Sequence, residues 1–388
     1  MPPTRSNLLR YMLLRQTLGL DGTNALRAGM QAAAAPPDDV WLSSTLPSMP
    51  LARYARPEIA GQRISLPWLK KLKPADCLYR FRFYVEELQD LVEVLDIPQP
   101  FKTQNRCSFS DIEALCLLLA RFRTAGDQFS LSIQYGRPQA AVSQVVNELC
   151  AYLDDRWAHL LDFDTSGVLA PESLQQYADA IYEAGAPLDS IWGFIDCTIR
   201  PVCRPHHLQR IVYNGYKKVH ALKYQAVKLP NGLIGHLYGP MEGRRNDNAL
   251  LAASELLQNC ELHARKPGTD DNTPAAERYF QIFGDPAYGV SPLMLSPFSG
   301  AGERTEHEAA WNEAMAAVRI EVEHGFGGIT ANWPFLNGWW THRIWQSPVG
   351  RHYRVGVLLT NALNCINPNQ TSQYFKCEPP TLDEYFHD

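Results

Sequence analysis

No run in this chain approaches the roughly 18 apolar residues that a membrane-spanning helix needs, so no membrane span is expected. The N-terminus (MPPTRSNLLRYMLLRQ) carries basic residues but no long apolar core, and neither a signal peptide nor an anchor is read there. Cysteine is present nine times, an odd number, scattered and without a Cys-x-x-Cys, which excludes a disulfide scaffold and points to reduced intracellular thiols. Cys197, Cys203, His206 and His207 lie close together, but Cys-x5-Cys followed by histidine is not a standard zinc spacing. A phosphate-cradling loop is missing as well: Gly302, Gly325, Gly327 and Gly328 are not followed by Lys-Ser/Thr. Positive charge is also in short supply. Lys+Arg number 36 against 41 Asp+Glu, a formal net charge of -5, which argues against a protein that grips nucleic acid by bulk electrostatics. No basic import signal stands out, Lys70-Lys71 with Lys73 being too short.

What is present is an ordinary globular balance, 45% hydrophobic and 20% charged over 388 residues, enough for a sizeable core in one large or two to three modest domains. Residues 1–70 read as an irregular entry region, broken by AAAAPPDD and further prolines, with room for a short helix at Ser6–Leu18. A helical pattern runs over about 71–165. FYVEELQDLVEVL places Leu88, Leu91, Val92 and Leu95 on one face. SDIEALCLLLARFR opens on Ser110 and Glu113, a capping box. DQFSLSIQYG closes on Gly136, and RPQAAVSQVVNELCAYLDDRW follows with Val142, Val145, Val146, Leu149 and Leu153 inward. Helix, short turn, helix, with Arg137, Gln139, Ser143 and Gln144 early in the last one, is a helix-turn-helix layout that would set these side chains against DNA. A helical bundle that only packs on the next domain fits the same pattern. Asp162–Pro187 reads as a linker.

From Leu188 the texture changes to apolar and alternating runs: SIWGFIDCTIRPV, VHALKYQAVKL and GLIGHLYGP, broken by Asn214-Gly215 and by the hairpin signal Asn231-Gly232. A helix (Asn248–Gln258), a strand (RYFQIFGDPAYG), a long helix (307–326) and a last helix near Val355–Asn364 complete an α/β domain over about 188–366, ahead of a tail at 367–388. The order predicts one mixed sheet flanked by helices.

Asp196 stands in the most apolar strand, where a carboxylate costs desolvation energy unless a cation or donor compensates it. Asp285 ends a second apolar run, just before Pro286. Two strands that each deliver an aspartate near the carboxyl end would bring both acids to one sheet edge. A third carboxylate from a crossing helix would complete an oxygen cage for two hard cations, which together clamp the attacking water and the leaving oxygen of a phosphodiester. In the 307–326 helix Glu321 and Glu323 flank the Val322 stripe on opposite sides, and periodicity does not choose between them. A lone strand-end aspartate is more often a cap or turn former than a ligand; the set of three carries the argument.

GFIDCTIRPVCRP, QRIVYNGYKKVHALKYQAV, GRRNDNALL, FGDPAYG and RIEVEHGFGGI occur in the order of the landmarks of PIF/Harbinger-type DDE transposases and the endonuclease domains derived from them. The chain resembles that family over about 188–366, and more loosely upstream through EALCLLLARFR. The resemblance implies an RNase H-like fold with Asp196 and Asp285 as first and second catalytic acids and metal ligands. Its Glu-x-x-Phe-Gly helix selects Glu323 as the third, and Asp247 in GRRNDN matches an accessory, site-lining aspartate. It also implies Mg²⁺ or Mn²⁺, two ions, DNA as substrate, work in the nucleus and a separate Myb-like DNA-binding partner. Cys197 departs from the usual glycine, and no Lys or Arg follows Phe326-Gly327. Basic residues nevertheless cluster in 200–228, with Arg204, Arg210, Lys217, Lys218 and Lys223 as candidate DNA contacts beside Tyr213 and Tyr216. A catalytically silent descendant that binds DNA or protein is the alternative, a phosphohydrolase of small esters a weaker one. A cytoplasmic location and a homo-oligomer stay open.

Overall fold

The computed structural model describes residues 61–299 and 304–388, except for the side chains of 321–326. The short helix expected at Ser6–Leu18 thus lies outside the described residues, as does nearly all of the entry region.

The helical layer comprises α1 (Leu66–Leu69), α2 (Pro74–Phe81) and α3 (Val85–Val94), then a two-stranded ribbon of β1 (Phe101–Lys102) and β2 (Ser108–Phe109), then α4 (Asp111–Arg123), α5 (Gln128–Tyr135) and α6 (Gln139–Trp157). Local chemistry sets the boundaries. The Ser110 hydroxyl accepts from the Glu113 amide (3.1 Å) and the Asp127 carboxylate from that of Ser130 (2.9 Å), each capping a helix start. Gly136 ends α5 at φ 61°, where a Cβ would stand 2.2 Å from the Gly61 carbonyl. Only half of the expected capping box forms. Glu113 is buried and takes the Arg137 guanidinium through two bonds (2.7 and 2.5 Å) instead of reaching back to Ser110, because a buried carboxylate is costly without a cation. Arg137 also lies over the Phe109 ring, so this expected DNA contact is an internal strut. Gln139 is exposed at the start of α6, and Ser143 is half-buried.

The segment expected to be a linker folds. Pro171 opens α7 (Pro171–Glu183), whose buried Leu174, Tyr177, Ala178 and Ile181 pack one helix face on the first long strand of the main sheet. That sheet has six strands: β3 (Ile191–Pro201), β4 (Tyr213–Asn214, after the short helix α8, Gln209–Val212), β5 (Val219–Lys228), β6 (Ile234–Glu242), β7 (Gln281–Phe283) and β8 (Met294–Leu295). The order is β4-β5-β3-β7-β8, with β6 also paired to β5. β3, β5 and β6 are antiparallel; β7 and β8 run parallel to β3 and to each other. The Asn231-Gly232 turn joins β5 to β6 as expected, with Gly232 at φ 84°. Helices α9 (Asp247–Ala253), α10 (Leu256–His263) and α11 (Ala275–Arg278) lead to β7. The long α12 (Glu306–Asn332), capped by Thr305 and Glu308, then runs past the expected end at 326, and α13 (Val349–Ile366), α14 (Gln370–Phe375) and α15 (Leu382–Tyr385) complete the described chain.

Helical layer and sheet share one core. Phe122 of α4 packs on Trp333 and Phe335 (ring centroids 6.2 and 5.7 Å), and buried Asp154 of α6 holds Arg351 and Arg354 of α13. His342 and His352 are buried beside Phe335 and Arg121, and His236 is buried in β6. Burial depresses His236 to about 4; burial with the nearby Arg121 charge takes His342 to about 4 and His352, which also faces His342, to about 3. A depressed base contributes stability that is present above its ordinary value near 6.5 and lost as pH falls toward its folded value. His236→Leu should therefore gain on wild type by about 1.4 kcal/mol per pH unit between pH 6.5 and about 4. Urea unfolding of both chains across that range checks it; a constant difference would refute the buried neutral histidine.

Candidate active site

β3 and β7 are adjacent parallel strands with Phe194 opposite Phe283. Two residues beyond that pair stand Asp196, still within β3, and Asp285, just past the end of β7. Because side chains alternate along β3, Asp196 shares the face of Phe194, while Asp285 opens the turn after β7, close enough for its charge to act on Asp196. The rings of Phe194 and Phe283 meet edge to face (6.2 Å) in an apolar cluster with Ile181, Met315 and Val318, so this is the face that α12 covers. The two carboxylates emerge where that apolar cluster ends, and both are half-buried.

Gly284 permits the approach. A Cβ there would stand 2.6 Å from Ile195 Cγ2 and 2.7 Å from the Tyr288 ring. Gly284→Val should force the start of the Asp285 turn away from β3, lowering thermal stability by about 1–3 kcal/mol through overpacking and disturbing the acid pair. A melting curve that matches wild type would contradict the close fit.

Burial pushes the Asp196 carboxyl above the usual range, and the Asp285 charge adds to this; the Cys197 amide bond (2.7 Å to Oδ1), Lys228 and Arg319 pull the other way without cancelling it. The site's one cation that sequence reasoning missed is Arg319, whose Nη2 lies 2.6 Å from Asp285 Oδ1. A signal for it did exist, since Arg319 is the sole Lys or Arg in the 27 residues of α12. This contact also orients the helix. At 100° per residue, position 323 lies about 40° from Arg319 and one turn on, whereas 321 lies about 200° away. The backbone thus carries Glu323, not Glu321, along the line of Arg319; the Glu323 side chain itself is outside the described residues.

The other face of β3 carries a second polar group. Cys197 Sγ lies 3.2 Å from the Tyr288 hydroxyl, and burial pushes its thiol up to about 12. Asp247 forms an ion pair with Lys223, whose Nζ also donates to the Arg245 carbonyl (3.1 Å). Asn248 donates to the Ala287 carbonyl (2.7 Å), tying α9 to the turn that follows Asp285. Asp247 accordingly borders the Asp196 strand through Cys197 and Tyr288. Lys223 is buried in its pair, so a direct DNA contact from it is not what the structure presents. Arg200 is buried too, donating to Thr198 Oγ1 (2.6 Å) over the Tyr353 ring. Arg204, Arg210, Lys217 and Lys218 are exposed.

Among the described residues no group of three or more His, Cys, Asp or Glu is gathered for a metal ion, and the nine cysteines are free. What the described site offers is two neighbouring carboxylates, the Arg319 guanidinium on Asp285 and the buried Lys228 ammonium acting on Asp196. No curated protein and no solved structure matches the chain. Residues 195–361, which hold Asp196, Asp285 and position 323, match the family model described as DDE superfamily endonuclease.

Proposed function

We propose that the chain is a DDE-type nuclease that hydrolyses DNA phosphodiesters, with Asp196, Asp285 and Glu323 as acidic ligands of two Mg²⁺ or Mn²⁺ ions. The observation that carries this reading is that Asp196 in β3 and Asp285, which opens the turn two residues past the Phe194–Phe283 pair of the parallel strands β3 and β7, lie within electrostatic reach of each other. Like charges so close repel unless a cation lies between them, and an oxygen-only donor set suits a hard divalent ion. Bound there, such ions polarise a phosphodiester and render a water nucleophilic. The chain's own residues do the positioning. The Cys197 amide fixes one Asp196 oxygen, Gly284 sets the strand spacing, and Arg319 holds Asp285 in place on the α12 side. The exposed basic residues from Arg204 to Lys218 would hold the backbone of the DNA.

Strand order supports an RNase H-like arrangement: three antiparallel strands in succession (β6-β5-β3) beside two parallel ones reached through helices. Helix α5, capped by Asp127 and closed at Gly136, and the following α6, with Gln139 exposed, fit a helix-turn-helix, although Arg137 is withdrawn from it. Strand transfer, work in the nucleus and a Myb-like partner belong to the same reading.

One observation favours the silent alternative: Asp285 already holds a cation of the chain's own, Arg319. A supercoiled-plasmid assay separates the two. Nicked circles in Mg²⁺ or Mn²⁺, and none in EDTA, are expected. An intact plasmid with either ion would leave only a DNA- or protein-binding role, and cleavage of a nitrophenyl phosphodiester without plasmid nicking would favour the small-ester alternative.

A further inference from the structure

The net charge of -5 hides two long stretches with no acid at all: none lies between Asp196 and Glu242, and none between Glu323 and Glu378. The fold brings these stretches together at one place. Past the end of β3, the Cys203 amide donates to the His342 carbonyl (2.9 Å), and its thiol donates to the carbonyls of Trp339 (3.2 Å) and Trp340 (3.1 Å). The neighbouring Val202 amide donates to the His220 carbonyl, and the His220 ring lies tilted against Tyr213 at 5.2 Å. So the loop that carries Arg204 is linked through Cys203 to the turn that carries both tryptophans, and through Val202 and His220 to the base of the hairpin that carries Lys217 and Lys218.

Its aromatic rings are not packed away. Trp339 and Trp340 stay 50% and 53% exposed with their rings edge to face (5.9 Å), and Tyr216 is 87% exposed with the Lys217 ammonium 5.2 Å from its ring. Large exposed rings are costly in water, and here they stand on stretches of chain that carry no acid of their own and do carry exposed cations. Cations of this kind complement a phosphate backbone, and flat exposed rings complement the faces of bases that are not paired. A duplex keeps its bases stacked inside and offers the tryptophans nothing but its grooves and its two ends.

We infer that Trp339 and Trp340, anchored by Cys203 beside the Arg204–Lys218 loop, form a stacking platform for unpaired bases of single-stranded DNA. The platform rests on the nuclease reading, because it names the form in which that site's substrate is held: a strand with locally opened bases near the cut.

Binding in EDTA tests it without cleavage. Fluorescence anisotropy of the full chain with a labelled thymidine oligonucleotide and with a labelled duplex should show both bound. Trp339→Ala with Trp340→Ala should weaken the oligonucleotide at least about tenfold while leaving the duplex nearly unchanged, and the two Phe substitutions should restore most of the loss. Lys217→Ala with Lys218→Ala should weaken both ligands and flatten their salt dependence. Oligonucleotide affinity that survives the double alanine change in a chain whose melting curve is normal, or a wild type that binds no oligonucleotide, overturns the platform. Plasmid nicking run in parallel keeps the two readings apart. Wild type that binds the oligonucleotide through the tryptophans but never nicks counts against the nuclease and not the platform; nicking with tryptophan-independent binding does the reverse.

Discussion

Asp285→Ala is expected to lower Mg²⁺-dependent plasmid nicking by on the order of 10³-fold, because metal stabilisation of the transition state is worth several kcal/mol. Asp196→Asn should do the same, since it keeps the size of the side chain and removes its charge. Neither loss should trace to unfolding. Asp285 is 40% exposed and its bond to Arg319 is a partly solvated ion pair, so its removal should cost no more than about 1 kcal/mol of stability. The sharper comparison is on α12. Glu323→Gln should match the aspartate variants, while Glu321→Gln should stay within a few-fold of wild type, because position 323 follows Arg319 by one turn and 321 lies on the far side. If Glu321→Gln is the inactive one, the helix orientation drawn from Arg319 and Asp285 is wrong.

Asp154→Ala should be the most damaging single change to stability, at about 3–5 kcal/mol, read from urea unfolding. Asp154 is 1% exposed, with Arg354 at 2.5 Å and Arg351 at 3.4 Å. Burial raises its carboxyl above the usual range even against the pull of the two guanidiniums, so the carboxylate depends on them. Truncating it leaves two buried cations without that anion. Asp154→Leu combined with Arg354→Met replaces the charged pair by apolar volume and should recover much of the loss, because desolvation of both ions is then avoided. A double variant less stable than Asp154→Ala alone would show that the pair does more than offset its own burial.

Much of the fold could be read in the residues because its signals are local. Ser110, Asp127 and Gly136 cap helices that begin and end within a residue or two of expectation, and Asn231-Gly232 marks the hairpin where it forms. The helix Pro171–Glu183 was also legible: a proline in the first turn, then Leu174, Tyr177, Ala178 and Ile181 at helical spacing. Its position between two regions of contrasting texture made it pass for a linker. The other misses are tertiary. Nothing local says that Glu113 prefers Arg137 24 positions away to its own cap, or that Lys223 turns inward to Asp247. The candidate site divides along the same line. The apolar strand around Asp196 and the Asp285-Pro286 stop are visible in the chain, whereas their approach comes from the pairing of β3 with β7 across nearly ninety residues, and Arg319 acquires meaning only once α12 lies on that face.

The bolting of α6 to α13 through Asp154, and of α4 to the turn after α12 through Phe122, turns the molecule into a caliper. One jaw is the exposed start of α6 at Gln139, the other the edge where Asp196 and Asp285 emerge, and no hinge separates the helical layer from the sheet along those contacts. Under the proposed function, a segment seated on the first jaw would meet the second at a set offset, and the distance between grip and cut would be a property of the protein's interior packing and not of its ligand.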